Sequence, residues 1–251
     1  RTVGGRAFHL DDHVARLAWS AERTGIALPL VPAELAAEIE RLLGEARARG
    51  LGPELSIRVM VTRGEGSLGL DPAGAVDPRR VAFIQPLQPP PEEAYRDGVA
   101  VITHATYRPS DAAAGAKVGN YLESILAIRR AREVGAHEAL IVDGEGRVLE
   151  GTTSNVFVVR GDRLLTPPAA AGILPGITRK LVMETAPGVG LTVAEAPLGV
   201  SDVRSADEVF ITSTIRGVLP VVRVDEATIG NGKPGPMTRA IRAAFDGRAA
   251  R

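Results

Sequence analysis

Residues Ala112 to Asn155 read AAAGAKVGNYLESILAIRRAREVGAHEALIVDGEGRVLEGTTSN, and the order of patterns within that stretch decides the fold. A loop of small residues delivers Lys117, and apolar residues at helical spacing run from about Tyr121 to Val134. Two short strand-like runs, Ala139 to Val142 and Arg147 to Glu150, then flank Asp143-Gly144-Glu145-Gly146. Turn chemistry of this kind makes a hairpin. More short strands come after it: Asn155 to Val159, Leu164-Leu165, Glu208 to Ser213 and Val218 to Val222. A short helix opens at Gly176-Ile177-Thr178 and a last one runs from about Pro236 to Phe245. Hairpins rather than parallel βαβ crossovers are expected here.

Upstream the pattern is different. Helices are expected over Asp12 to Thr24, with Asp11 or Asp12 as N-cap, and over about Ala33 to Ala48, closed by Gly50. Strands are expected over Leu55 to Thr62, Arg80 to Leu87 and Gly98 to Ala105. This is an α+β chain of two domains: a small one over 1–105, a linking loop over 106–116 and a larger one over 117–251. The chain opens at Arg1 on what reads as the end of a strand, so the small domain is expected to lack its first strands.

With 251 residues, 45% of them hydrophobic, the chain can bury a sizeable core. Net charge is zero and no basic stripe is present, which argues against nucleic acid as the main partner. No apolar run approaches a membrane span, so no membrane partner is expected. The absence of cysteine removes disulfides, thiol nucleophiles and thiolate metal sites, and a cytoplasmic location is the default. His9 and His13 around Asp11 and Asp12 look like a metal cluster, but two acids at a helix start explain them better, and no metal is expected.

A census of charge singles out Lys117. Of 30 basic residues 27 are arginine, and the lysines are Lys117, Lys180 and Lys233. Arginine stays protonated and cannot condense with a carbonyl, whereas a desolvated lysine can. Lys180 and Lys233 read as solvated charges in a helix and a Gly/Pro turn. Lys117, flanked by Ala, Gly and Val with no adjacent acid, is either a chemical group or a plain surface charge.

A lysine that carries an imine is used most often to hold pyridoxal phosphate. That cofactor needs a carboxylate near its ring nitrogen, for which Glu150 is suited. Its phosphate needs N–H groups at a helix start, hydroxyls and a cation, which Gly176-Ile177-Thr178, Ser213-Thr214 and either Arg16 or Arg179 offer. On residues alone Arg16 reads equally as a snorkelling surface arginine.

The runs Asp12-His13-Val14-Ala15-Arg16-Leu17, Arg58 through Gly64, Lys117 with Asn120-Tyr121-Leu122, Glu150 through Phe157, Leu174 through Arg179 and Asp207 through Phe210 occur in that order. Together they resemble the class IV pyridoxal-phosphate enzymes: branched-chain aminotransferases, D-amino-acid transaminases and aminodeoxychorismate lyases. The resemblance implies a two-domain fold type IV enzyme, with a small α/β domain and a larger one on an antiparallel, barrel-like sheet. It makes Lys117 the lysine that bonds the cofactor and shuttles the substrate proton, and Glu150 the acid on the pyridine nitrogen. Arg16, Ile177, Thr178, Ser213 and Thr214 are then phosphate ligands, and Leu174 packs against the ring. Tyr121 bonds the phenolic oxygen or only packs. Arg58, Thr214 and Ile215 meet the substrate.

The resemblance further implies ping-pong transfer of an amino group from an apolar amino acid, L-branched-chain by preference, to a 2-oxo acid in a homodimer. A place in amino-acid biosynthesis goes with that activity. The sequence after Gly64 lacks the Arg-x-His signature of D-amino-acid transaminases. Ile215-Arg216-Gly217 after Thr214 departs from typical branched-chain enzymes, which have small residues and then glutamate there, and Arg216 either alters the pocket or forms a salt bridge elsewhere. The lyase, the D-specific enzyme and a non-catalytic binding protein of the same fold remain the alternatives.

Overall fold

The computed structural model describes residues 1–69, 71–106 and 113–249. They form two compact units, Arg1–Gln88 and Pro89–Arg251. Most of the loop at 106–116 lies outside the described residues.

In the first unit, β1 (Thr2–Val3) and β2 (Arg6–Ala7) form a hairpin over Gly4-Gly5, both at positive φ. Next come α1 (Leu10–Arg23), α2 (Pro32–Ala48) and the antiparallel pair β3 (Leu55–Val61) and β4 (Arg80–Pro86). Val14, Leu35, Ile39, Leu43 and Leu55 are buried together, with Leu17, Ile57 and Val59 packed against them. Neither Asp11 nor Asp12 caps α1 as expected. His9, in the left-handed region, holds the cap position, and both acids lie in the first turn, where the helix dipole favours them. His9 Nδ1 bonds Asp12 Oδ2 at 2.8 Å.

The second unit runs α3 (Glu92–Asp97), β5 (Val99–Ala105), α4 (Leu122–Glu133), β6 (Glu138–Val142), β7 (Arg147–Gly151), β8 (Asn155–Arg160) and β9 (Arg163–Thr166). It continues with α5 (Ile177–Thr185), β10 (Thr192–Glu195), β11 (Leu198–Gly199), α6 (Val200–Arg204), β12 (Glu208–Ser213), β13 (Gly217–Val224), β14 (Ala227–Thr228) and α7 (Pro236–Ala249). One sheet has the order β10-β9-β8-β12-β13-β5-β6-β7-β11, with β14 on β13. Residues from one end of it to the other meet in a single core, among them Leu165, Val156, Ile211, Leu219, Val101, Leu140, Val148 and Leu198. A sheet whose far strands share one core must curl around it.

The hairpins expected from turn chemistry are present: β6–β7, β8–β9 and β12–β13 are antiparallel. The sheet as a whole is mixed, however, because β5 runs parallel to both β6 and β13, and β9 parallel to β10. A helical crossover, β5–α4–β6, makes the first of these. Ala127 and Ala131 of α4 are small enough to bring the helix onto Ile102, Ala139 and Ile141. Since β5 pairs only within this sheet, residues 99–105 belong to the second unit, and the boundary lies at 88/89 rather than at 105.

Glu208 accepts from the N–H groups of Met237 at 2.9 Å and Thr238 at 2.7 Å, and so caps α7. A side chain at Gly235 would collide with that carboxylate. Among the described residues no helix is long and apolar enough to cross a membrane.

Candidate active site

Glu150 stands near the end of β7, where simple alternation would align its side chain with Val148 and drive it into the apolar core. A bulge prevents this. Val142 pairs with Val148, but its neighbour Ile141 pairs with Glu150, so Leu149 is the extra residue. Ile141 and Leu149 both belong to the cluster beneath α4, on the outer face, and the bulge brings Glu150 to that face. Glu150 is 8% exposed, and its carboxylate accepts the Leu174 N–H on Oε2 at 3.0 Å.

Residues 172–178 are the hub of the site. Asn155 donates from Nδ2 to the Leu174 carbonyl at 2.9 Å, and its Oδ1 lies so close to Gly176 that a side chain there would collide with it. Gly115 donates to the Gly172 carbonyl at 3.1 Å, tying the Lys117 loop to the same segment. Thr212, at the end of β12, pairs with Asn155. One short run of backbone thereby joins the Lys117 loop, the Glu150 carboxylate, the N-terminus of α5 and the last turn of β12.

Ile177 and Thr178 form the first turn of α5, where N–H groups have no intrahelical acceptor. Thr178 is 2% exposed and its Oγ1 has no hydrogen-bond partner among the described residues; the same holds for buried Thr212 Oγ1 and Ser154 Oγ. Buried hydroxyls are normally satisfied, so an orphan at a helix N-terminus fits a missing anion. Ser213 Oγ accepts the Arg216 N–H at 3.3 Å, which leaves its own proton to donate elsewhere. Thr214 and Ile215 are half-buried in the turn that follows. These residues fit a phosphate-bearing cofactor whose ring nitrogen faces an acid.

Arg179 is not available as the phosphate cation. Its buried guanidinium donates to the Pro167 carbonyl at 2.9 Å, lies 3.4 Å from Thr166 Oγ1 and pairs with Glu195, which locks α5 to β9 and β10. Lys117 is exposed in the chain by itself, on the loop before α4, and Tyr121 is half-buried immediately ahead of that helix. Lys180 and Lys233 are exposed as expected.

Arg16 and Arg58 lie in the first unit. Arg16 is half-buried on α1, not a free surface charge, and burial lowers its pKa from the usual arginine value. Its Nη2 meets Nδ1 of His13 at 3.4 Å. Burial, with Arg16 adding to it, holds the His13 imidazole down to about 3, so the ring is neutral and accepts. Arg58 is on the exposed face of β3, across from Phe83.

Two residues gain a definite part only in the fold. Asn155 is quoted in a motif, but its part as a strut under Leu174 and Gly176 requires the fold. Arg216 forms the salt bridge that was one of its two readings: Nη1 is 2.7 Å from Oε2 of Glu138, which is fully buried.

The family model for class IV amino-transferases matches residues 1–224. A protein of Methanocaldococcus jannaschii provisionally named a branched-chain-amino-acid aminotransferase is 38% identical over 98% of this chain and 83% of its own length. A D-alanine aminotransferase of Bacillus licheniformis is 35% identical over 98% and 84%. Among solved structures, a T.th. branched-chain amino acid aminotransferase complexed with N-(5'-phosphopyridoxyl)-L-glutamate superposes with a TM-score of 0.87 at 31% identity, covering 97% of this chain and 79% of that one. With the family model spanning nearly the whole sequence and the fold in agreement, the chain belongs to the class IV aminotransferases.

Proposed function

We propose that this protein is a pyridoxal 5'-phosphate-dependent aminotransferase that moves an amino group from an apolar amino acid, preferentially L-branched-chain, to a 2-oxo acid. The observation that carries the reading is the convergence on residues 172–178. A buried carboxylate, an orphaned hydroxyl at a helix N-terminus and the loop of the one chemically distinctive lysine are joined there.

When bound, pyridoxal phosphate supplies an electron sink for the Cα–H bond and a carrier for the amino group. Lys117 Nζ would anchor it and, as a neutral amine, would take up the proton of the substrate Cα. Excluding water around that amine favours its neutral form. Glu150 keeps the ring nitrogen protonated. Ile177, Thr178, Ser213 and Thr214 would hold the phosphate, Leu174 would pack on the ring, and Tyr121 would meet the phenolic oxygen. Amides of Thr214 and Ile215 bind the substrate carboxylate. The roles of Arg16 at the phosphate and Arg58 at the substrate rest on the resemblance of their motifs.

A homodimer is part of the proposal. Val118, Leu122, Ile125 and Leu126 are exposed beside Lys117, three of them on one face of α4, and a second copy covering them would also desolvate the lysine. We place the activity in the cytoplasm and in amino-acid biosynthesis, which a chain without cysteine permits.

The test is a half-reaction screen: the holoenzyme's visible band is followed on adding single L- and D-amino acids, with Lys117→Ala as control. L-leucine, L-isoleucine or L-valine should bleach the band, and Lys117→Ala should not respond. The D-alanine aminotransferase relative supports a second reading, which a response to D-alanine alone would establish. Protein that takes up no cofactor would overturn both.

A further inference from the structure

Glu138 opens β6 and is fully buried, yet it lines no part of the hub. Its Oε1 accepts from Thr152 Oγ1 at 2.8 Å, Thr153 N–H at 2.7 Å and Thr153 Oγ1 at 3.3 Å. These threonines follow Glu150-Gly151 directly. Its Oε2 faces Nη1 of Arg216 at 2.7 Å, and the same Nη1 donates to Thr153 Oγ1 at 3.0 Å. Arg216 is the last residue of the turn between β12 and β13. Its N–H is held by Ser213 Oγ and its carbonyl accepts the Tyr95 hydroxyl at 2.8 Å. Gly151 has no room for a side chain, because Ser154 Oγ and Glu138 Oε1 crowd its Cα.

A carboxylate taken wholly out of water is costly unless paired and hydrogen-bonded, and this one has a cation and three donors. Its partners belong to two segments that flank the site: 151–154, continuous with Glu150, and 213–217, continuous with Ser213, Thr214 and Ile215. Stability alone does not require the same carboxylate to serve both.

We propose that Glu138 and Arg216 are a positioning pair that latches the 213–217 turn to the segment carrying Glu150, fixing the spacing between the substrate-facing amides and the ring-facing acid. The inference rests on the aminotransferase reading. Arginine suits the role because Nη1 meets both Glu138 and Thr153 while the rigid guanidinium plane fixes its direction, a constraint that a lysine's rotating ammonium lacks. The latch acts on the amino acid's fit rather than on proton transfer, since neither residue belongs to the hub.

The experiment is a double-mutant cycle on holoenzyme and apoprotein with Arg216→Met, Glu138→Gln and both together. Arg216→Met alone strands a buried carboxylate and should lower the apoprotein Tm by roughly 5 °C or more. The double variant removes that charge and should recover at least half of the loss. The latch stays broken in the double variant, so its KM for the amino acid should remain about 10-fold raised, with kcat within about 3-fold of wild type. Arg216→Lys should fall between, and serves if the double variant does not fold. A double variant whose KM returns to wild type along with its Tm would overturn the proposal, since the pair would then be structural only. So would an unchanged KM in Arg216→Met or Arg216→Lys, or additive Tm losses across the cycle. A colourless wild type would instead strike the aminotransferase reading, and the apoprotein Tm cycle would still decide whether the two residues are coupled.

Discussion

Thr178 hides its hydroxyl from water and gives it no partner among the described residues. Such a group costs stability in the apoprotein and is repaid only when an anion arrives. Thr178→Val keeps the shape and removes the orphan, so the apoprotein Tm should hold or rise while cofactor affinity falls by roughly 10-fold, measured by fluorescence titration. A hydroxyl that merely packed would leave the affinity unchanged. Glu150 makes the complementary case. Glu150→Gln can keep an acceptor for the Leu174 N–H but loses the charge, so kcat should drop by about 100-fold or more with cofactor still bound. At this scale the sequence marks candidates where chemistry is demanding: Lys117, one of three lysines in a chain that mostly uses arginine, and Glu150 ahead of Gly151. It was silent on the partner of Arg216, because Glu138 is brought to it only by the pairing of β5 with β6 and β13.

Among elements, α1, α2, α4 and α7 were legible from their 3.6-residue period and the hairpins from their turns, to within a few residues at each end, whereas the short helices α3 and α6 span too few turns to show a period. The assignment of β5 was not, since parallel pairing with β13 joins strands from opposite ends of the unit and leaves no local signal. The bulge at Leu149 was equally hidden, although it decides which face Glu150 occupies. Gly151 sets the tolerance of that strand end. Gly151→Ala should destabilise the protein by roughly 2 kcal/mol or more and weaken cofactor binding, seen as a lower Tm and a raised Kd, because its Cβ would meet Glu138 Oε1 at 2.8 Å.

On α1 the expected signal is in pH. His13 stays neutral in the fold with its pKa held down to about 3, while the unfolded chain takes up a proton below its ordinary value of about 6.5. The stability this allows is complete at neutral pH and is lost as pH falls from about 6.5 toward 3. Thermal melts from pH 7 to pH 4 should therefore fall more steeply for wild type than for His13→Gln. Parallel curves would show that the ring is protonated in the fold.

For the whole molecule, the mixed curled sheet holds Glu150, the N-terminus of α5 and the turn after β12 on separate strands and connections, and residues 172–178 join the first two through Glu150 and Asn155. Sequence alone places Leu122, Ile125 and Leu126 on a helix but does not say that α4 buries its alanines and leaves these outward. Ile125→Glu should convert a dimer to monomer in sedimentation experiments and reduce activity with it. A monomeric wild type of full activity would remove the proposed second copy.

The central claim concerns one nitrogen. Holoenzyme reduced with borohydride, digested and analysed by mass spectrometry should carry the phosphopyridoxyl mass on the peptide containing Lys117, and on neither Lys180 nor Lys233. An adduct on another residue, or none on any peptide, would contradict the account.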